Sequence, residues 1–340
     1  MPSRDEASIT RLIKVLKSFG LRESDPRLRQ MMEKMKSFED EDDDARNFLL
    51  PRDKFKECVH PSMHLISQAL RNHLIIPSWG EFCGQIKTIF EECAHVKDGY
   101  VATYIPQLAR QDPDIWGLSI CTIDGQRVSF GDSKLPFCVQ SVSKAFNYAI
   151  VSSDLGADFV HSYVGHEPSG RLFNEICLDS NGKPHNPLIN AGAIIVTSLI
   201  RNHLTMADRF DFVLNEYKKL AGGEHVGFNN ATFLSERDTA DRNYALSYYM
   251  KENKCFPPGT QGLREELDLY FQLCSLETTC ETAAVMAATL ANGGNSLFLC
   301  VCPLTDELCI HPRSCRDVLS LMYSCGMYDF SGKFAFQVCQ

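Results

Sequence analysis

The stretch FCVQSVSKAFNYAI, residues 137–150, sets Ser141 and Ser143 close to Lys144. A serine hydroxyl becomes a useful nucleophile at neutral pH only when a neighbouring base takes its proton, and an amine serves as that base only when uncharged. The lysine pKa must therefore fall from about 10.4, which burial or a nearby cation achieves. At about 100° per residue, Ser141 and Lys144 lie within about 60° of each other on one helix flank, where Tyr148 joins them. Ser143 falls about 160° away, toward Asn147, so the spacing pairs Lys144 with Ser141. Val142, Ala145, Phe146, Ala149 and Ile150 make the apolar face, which predicts that they pack inward. The strand RVSF and a short turn precede the helix, placing Ser141 at or near its first turn. There, free N–H groups and the dipole favour a developing oxyanion. Ser-x-x-Lys alone also arises as a capping serine and a solvated lysine, so its surroundings must decide.

Other clusters carry less chemistry. EDEDDDAR, 39–46, is rich in oxygen donors, but the turn glycine and terminal bidentate Glu of an EF-hand loop are out of register, and the reading is a solvated acidic loop without calcium. His60 and His64 in HPSMH are interrupted by Pro61 and lack a third ligand. Cys300, Cys302, Cys309 and Cys315 match no paired zinc spacing and read as core thiols. No metal is expected.

The elements that must hold Ser141 and Lys144 follow from periodicity. From Ser8 to about Lys97 the pattern is helical, with Ile9, Leu12, Ile13, Val15, Leu16 and Phe19 mostly on one face. DIWGLSICTIDGQRVSFGD alternates around Asp124-Gly125, a hairpin signature. SLETTCETAAVMAATLANGG reads as a long helix ended by Gly293 and Gly294, and CGMYDFSGKFAFQVC as a turn entering a strand. Strands toward both ends with helices between predict a sheet completed by the last segments, with a helical subdomain inserted. The organisation is a small all-helical domain, 1–97, followed by an α/β (α+β) domain, 98–340.

Composition narrows the partners. The 340 residues, 44% hydrophobic, suffice for a large core, and a formal charge of -9 disfavours nucleic acid and anionic membranes. Fifteen irregularly spaced cysteines without a signal-peptide pattern read as reduced thiols. No apolar run reaches the roughly 18 residues of a membrane span.

Several long motifs in fixed order, YIPQLARQDPDIWGLSICTIDGQRVSFGD, PFCVQSVSKAFNYAI, PHNPLINAGAIIVTSL, SERDTADRNYALSYYM and CGMYDFSGKFAFQV, resemble the animal glutaminases of the kidney and liver type, from about Gly20 to the last residues. The resemblance implies a catalytic domain of the β-lactamase/transpeptidase kind after an EF-hand-like domain. It implies that Ser141 attacks the side-chain carboxamide of L-glutamine, Lys144 acts as base, Tyr328 relays a proton, and water releases glutamate after ammonia has left. Tyr104, Gln140, Asn190, Glu236, Asn243 and Tyr270 match substrate-contacting positions. A carboxylate opposite the ammonium, Glu236, and neutral donors around the carboxylate, from Asn190, Asn243 and the tyrosines, suit a free amino acid. EPSGRLFNEICLD, 167–179, with Gly170 and Phe173, matches a loop that gates the site. The resemblance further implies dimers or tetramers, no cofactor, inorganic phosphate as activator near Arg242 and Tyr249, and a mitochondrial setting. Asn253 stands where lysine is usual, and the lack of a transit peptide points to the cytosol.

Two departures stand out. ANGGNSLFLCVCPLTDELC carries extra apolar residues that are expected to disturb the segment leading to Tyr328. After FAFQV the family continues into a Lys-Ser-Gly strand that gives a backbone N–H to the oxyanion hole, the other coming from Ser141. A domain lacking its last strands suggests, as an alternative, a weak or inactive glutaminase variant acting as an oligomer subunit. Peptidase or β-lactamase activity fits the fold but not the glutamine-pocket residues.

Overall fold

The N-terminal helices form where the apolar period places them. Ser8 caps the helix Ile9–Ser18, its hydroxyl accepting from the Arg11 N–H at 3.3 Å, a contact typical of helix starts. With the helices Arg29–Glu39, Arg52–Val59 and Met63–Leu70 it encloses a core of its own that includes Ile9, Leu16, Leu28, Met31 and Ile66. This is a computed structural model, which describes residues 6–39, 49–260, 262–293 and 300–338. The expectation of an all-helical unit needs correction, because Glu6–Ser8 and Leu49–Pro51 pair as short antiparallel strands. Pairing gives partners to backbone groups of two segments that lead into helices. Apart from Glu39, the acidic run 39–46 lies outside the described residues, as do Gly294 and most of the apolar insertion after it.

This unit is fastened to the rest through the hairpin Gly117–Cys121 and Arg127–Gly131, which turns at Asp124-Gly125 as its alternation predicts. Gly125 takes φ +84, a left-handed conformation natural to glycine. Gln126, fully buried, donates to the carbonyls of Phe19 at 2.9 Å and Ile76 at 3.1 Å and accepts from the Ile76 N–H at 2.9 Å. Arg22 bridges to Glu281 and Ser129.

The remainder is mixed α/β, with small sheets in place of the single sheet expected. Leu276–Thr279 lies between Pro136–Cys138 and Gly227–Phe228, antiparallel to both. The predicted helix SLETT…ANGG therefore begins only at Cys280, where the Thr279 hydroxyl caps it by accepting from the Thr282 N–H at 3.2 Å. β-branched Thr278 and Thr279 suit the strand before it. FAFQV is also corrected. Ser331–Val338 is helical, opened by Ser331, whose hydroxyl accepts from the Met327 N–H at 3.0 Å and donates to the Tyr328 carbonyl at 2.8 Å. A helix closes its hydrogen bonds internally, whereas a strand needs a neighbour. Phe334, Ala335 and Val338 then share one face, lining an apolar groove of about 620 Å³ with Val142, Phe146 and Met322.

The helix Ser143–Leu155 runs through the largest core, buried on nearly every side, with Ser143, Lys144, Tyr148, Ala149 and Val151 all inaccessible. Two readings of its faces change. Val142 is 56% exposed, on the rim of that groove. Tyr148 leaves the Ser141–Lys144 flank to hydrogen-bond His161 at 2.8 Å, because a neighbouring helix, Ala157–His161, packs there. Cys300, Cys302, Cys309 and Cys315 are buried in the same core, Cys300 and Cys315 donating to the carbonyls of Thr289 and Leu290. His60 and His64 are exposed.

A fully buried ion pair ties the helices behind the site. Arg209, on the helix Met206–Leu220, binds Glu266 at 2.8 Å and donates to the carbonyls of Ile200 and Thr197. It thereby couples the helix Leu263–Cys274 to the end of the helix Asn190–Leu199. Arg209→Met removes the buried charge partner of Glu266 and is expected to lower the unfolding free energy by about 3–5 kcal/mol. Urea denaturation of the two proteins checks it, and an unchanged midpoint would contradict this account.

Candidate active site

The site begins where the strand Pro136–Cys138 ends. Val139 fastens to the central strand by donating to the Leu276 carbonyl at 2.9 Å, and a 3₁₀ turn, Gln140–Val142, leads into the helix Ser143–Leu155. Ser141 is exposed on that turn, and Lys144 is 2% exposed just inside the helix. Burial lowers the Lys144 ammonium to a pKa of about 8. The expected fall is thus supplied by desolvation, with no cation needed.

Lys144 Nζ donates to Asn190 Oδ1 at 2.7 Å and to the Tyr328 hydroxyl at 3.3 Å. Tyr328 shares the cleft with Ser141, whose hydroxyl eases the rise that burial imposes on the phenol pKa. The spacing argument paired Ser141 with Lys144 directly; among the described residues Lys144 instead bonds Asn190 and Tyr328, and it is the phenol that shares the cleft with Ser141. The reason is tertiary: Asn190 and Tyr328, distant in sequence, satisfy the long buried lysine better than an adjacent hydroxyl at the cleft surface does. The Phe173 ring stacks at 4.8 Å from that of Tyr328, and both face Nζ, so the 167–179 loop closes over the amine.

Asn190 opens the helix Asn190–Leu199, its N–H donating to the Phe173 carbonyl at 2.9 Å and its Nδ2 to Asn243 Oδ1 at 3.1 Å. Two residues on, Gly192 is required, since a Cβ there would stand 1.9 Å from the Asn186 carbonyl oxygen. Glu236 lies on the helix Asn230–Asp238, which Asn229 caps by accepting from the Thr232 N–H at 2.9 Å. Its carboxyl is pushed up to about 7 by burial, against the opposing pull of a Gln140 hydrogen bond and of Lys144.

Gln140 and Tyr328 hold left-handed backbones, φ +45 and +54. Such a conformation costs on the order of 1–3 kcal/mol in a non-glycine residue and persists only where the surroundings enforce it. Around Gln140 they do. Its Oε1 accepts from the Tyr104 hydroxyl at 2.7 Å, and its Nε2 donates to the Cys274 carbonyl at 3.2 Å and Glu236 Oε2 at 3.4 Å.

These side chains converge on one cleft of about 500 Å³. Tyr104, Gln140, Ser141, Asn190, Glu236, Asn243, Tyr270 and Tyr328 all line it, and Lys144 lies behind Asn190 and Tyr328. All nine residues singled out in the sequence are therefore brought together. Cys274, which also lines the cleft, was missed. Its signal was its place four residues after Tyr270, one helical turn along the same face. Arg242 and Phe173 line the cleft as well. No group of three or more His, Cys, Asp or Glu suited to a metal occurs among the described residues. The arrangement offers a carboxylate for an ammonium, amides and phenols for a carboxylate, and a hydroxyl that shares the cleft with a phenol bonded to an amine that is neutral at mildly alkaline pH.

Comparison with known proteins agrees with this chemistry. The Glutaminase family model matches residues 99–339, and an EF-hand domain model matches 1–77. "Putative glutaminase 2" of Caenorhabditis elegans is 63% identical over 99% of this chain and 56% of its own length. The mitochondrial liver isoform of glutaminase from Rattus norvegicus is 50% identical over 98% of this chain and 54% of its own. The chain thus spans about half the length of the curated relatives it matches. The crystal structure of Mglu in its tris and glutamate form superposes with a TM-score of 0.68 at 30% identity, covering 75% of this chain and 55% of that one.

A fluorophosphonate probe, which reacts with activated serines, tests the Ser141–Tyr328–Lys144 linkage directly. Only about a tenth of an amine with pKa about 8 is neutral at pH 7, and half at pH 8. Labelling is expected to rise about tenfold per pH unit below that value and then level off, to vanish in Ser141→Ala, and to lose its dependence on pH near 8 in Lys144→Met. A flat profile in the unaltered protein would contradict the linkage.

Proposed function

Since the chain belongs to the glutaminase family, we propose that it hydrolyses the side-chain amide of L-glutamine to L-glutamate and ammonia through an acyl-enzyme on Ser141. The observation that carries this is the convergence on one cleft of a hydroxyl, a buried amine and a buried carboxylate whose spacing in sequence spans 96 residues. The relation to a solved structure in a glutamate form supports the choice of ligand.

In this reading the substrate ammonium lies against Glu236, and its carboxylate takes donors from Asn190 and Asn243. The Ser141 proton passes to the Tyr328 oxygen as the phenol proton passes to neutral Lys144, and Oγ bonds to the carboxamide carbon. As the C–N bond breaks, the departing nitrogen takes the proton from Lys144 through the same phenol and leaves as ammonia. Water then adds to the ester carbon, Lys144 again receives its proton, and cleavage of the C–Oγ bond returns the hydroxyl and releases glutamate. The Ser141 N–H, at the head of the helix, faces the charge that develops on the carbonyl oxygen. The reading extends to a homodimer or tetramer, to inorganic phosphate as an activator beside Arg242, to operation without a cofactor, and to a mitochondrial setting like that of the rat liver relative.

Ammonia release from glutamine, measured against Ser141→Ala, tests the reaction; equal release by both proteins would sink it. Glu236 must be ionised to bind an ammonium and Lys144 neutral to accept a proton, so kcat/KM is expected to climb with pH, steeply below about 7 and less so up to about 8. Glu236→Gln removes a charged hydrogen bond of about 1.5–3 kcal/mol and should raise KM about 10- to 100-fold. Steady-state kinetics from pH 6 to 9 read both.

A further inference from the structure

A second cavity, of about 1110 Å³, opens at the seam between the N-terminal unit and the mixed α/β part, and shares no residue with the cleft that Ser141 lines. Arg22 and Ser24 reach it from the first unit. Arg127, on the hairpin, and Lys134, in the loop after it, reach it from the second. Arg127 is 6% exposed, yet among the described residues its side chain makes one hydrogen bond, from Nη1 to Glu224. Its Nε is enclosed without a partner. An unpaired N–H on a buried cation carries a desolvation cost that native proteins seldom leave standing. The edge of the guanidinium left over, Nε with Nη2, is a fork whose parallel N–H bonds match two oxygens of a phosphate. Lys134 is exposed on the same cavity and has no ion-pair partner among the described residues. The helix Cys280–Asn292 also begins at this wall, with Thr279 and Thr282 on the cavity, and a helix start favours negative charge.

The acids on the wall do not cancel this preference. Glu281 holds Arg22 and Ser133 on its two oxygens, and Glu224 holds Arg127 and Thr282. Asp132 accepts from the Trp116 N–H at 3.0 Å through Oδ2, which leaves Oδ1 to accept from a hydroxyl. Serine and threonine hydroxyls make up much of the remaining wall. No Phe, Tyr or Trp stands among the described lining residues, so a nucleobase would find nothing to stack on. The cavity is also far roomier than a lone phosphate requires. We propose that it binds the phosphate monoester of a small polyhydroxylated molecule, with the phosphate on Arg127 and Lys134 and the hydroxyls on Asp132 and the serine and threonine side chains. Since Arg22 and Ser24 come from the N-terminal unit, such a ligand ties the two parts of the chain together.

Calorimetry on the whole chain tests this, with ribose 5-phosphate, glycerol 3-phosphate and glucose 6-phosphate as probes against ribose and inorganic phosphate. At least one monoester is expected to bind about tenfold or more tightly than either fragment, and to keep its affinity when L-glutamate saturates the cleft. Lys134→Glu sets repulsion in place of attraction and should weaken that monoester about tenfold or more. Arg127→Lys keeps a cation for Glu224 but loses the fork, and should weaken it about tenfold as well. Should Arg127→Lys fail to fold, judged by circular dichroism, Lys134→Glu at the surface decides alone. The proposal is overturned if no monoester binds saturably below about 10 mM, if inorganic phosphate or ribose binds as tightly as the esters, if L-glutamate displaces the ester, or if Lys134→Glu leaves the affinity unchanged.

Discussion

An amine kept out of water is the condition on which this molecule's chemistry depends. Lys144 is enclosed by the largest core, and the same desolvation that brings its pKa to about 8 makes it a base near neutral pH. Burying a lysine is costly unless its hydrogens are satisfied. Asn190 and Tyr328 meet that need, and each belongs to a segment that must be held in place by something else. Asn190 depends on a helix pressed against Asn186, and Tyr328 on a left-handed backbone fixed by Ser331. Much of the architecture can be understood as supporting those two contacts.

The supports are polar as well as apolar. The buried Arg209–Glu266 pair sets the helix carrying Tyr270 and Cys274 against the end of the helix that Asn190 begins. Buried Gln126 anchors the N-terminal unit to the hairpin, and Arg22 reaches Glu281, at the start of the helix that follows the central strand. Unpaired, each of these groups would carry a desolvation cost, so each fixes a geometry more narrowly than apolar packing alone. Two strained residues, Gln140 and Tyr328, lie at the centre of this arrangement, where strain is commonly found at sites that must present a side chain in one direction.

Glu236 and Lys144 work within the same cleft with opposite requirements. Burial raises the acid and lowers the base, bringing their pKa values to within about one unit of each other. Each favours the charged form of the other, which limits both shifts. The substrate ammonium that this reading assigns to Glu236 would replace part of that mutual field, so binding and base strength are coupled across the cleft.

Sequence alone determined which residues had chemistry to offer and much of the secondary structure, because both are local matters. The period of the first helices, the Asp124-Gly125 hairpin and the helix holding Lys144 all follow from spacing, and the motifs gathered nine residues that the fold does bring to one cleft. Where a choice depended on partners far along the chain, spacing was insufficient. SLETT became a strand because two other segments pair with it, FAFQV became a helix that lines a groove, and Tyr148 turned to His161. Lys144 bonds the phenol of Tyr328, 184 residues along the chain, rather than the Ser141 hydroxyl one turn away. One helical turn of sequence sets which groups are neighbours, but the acceptor that a buried proton finds is chosen by desolvation, and that exists only once the chain has closed around it.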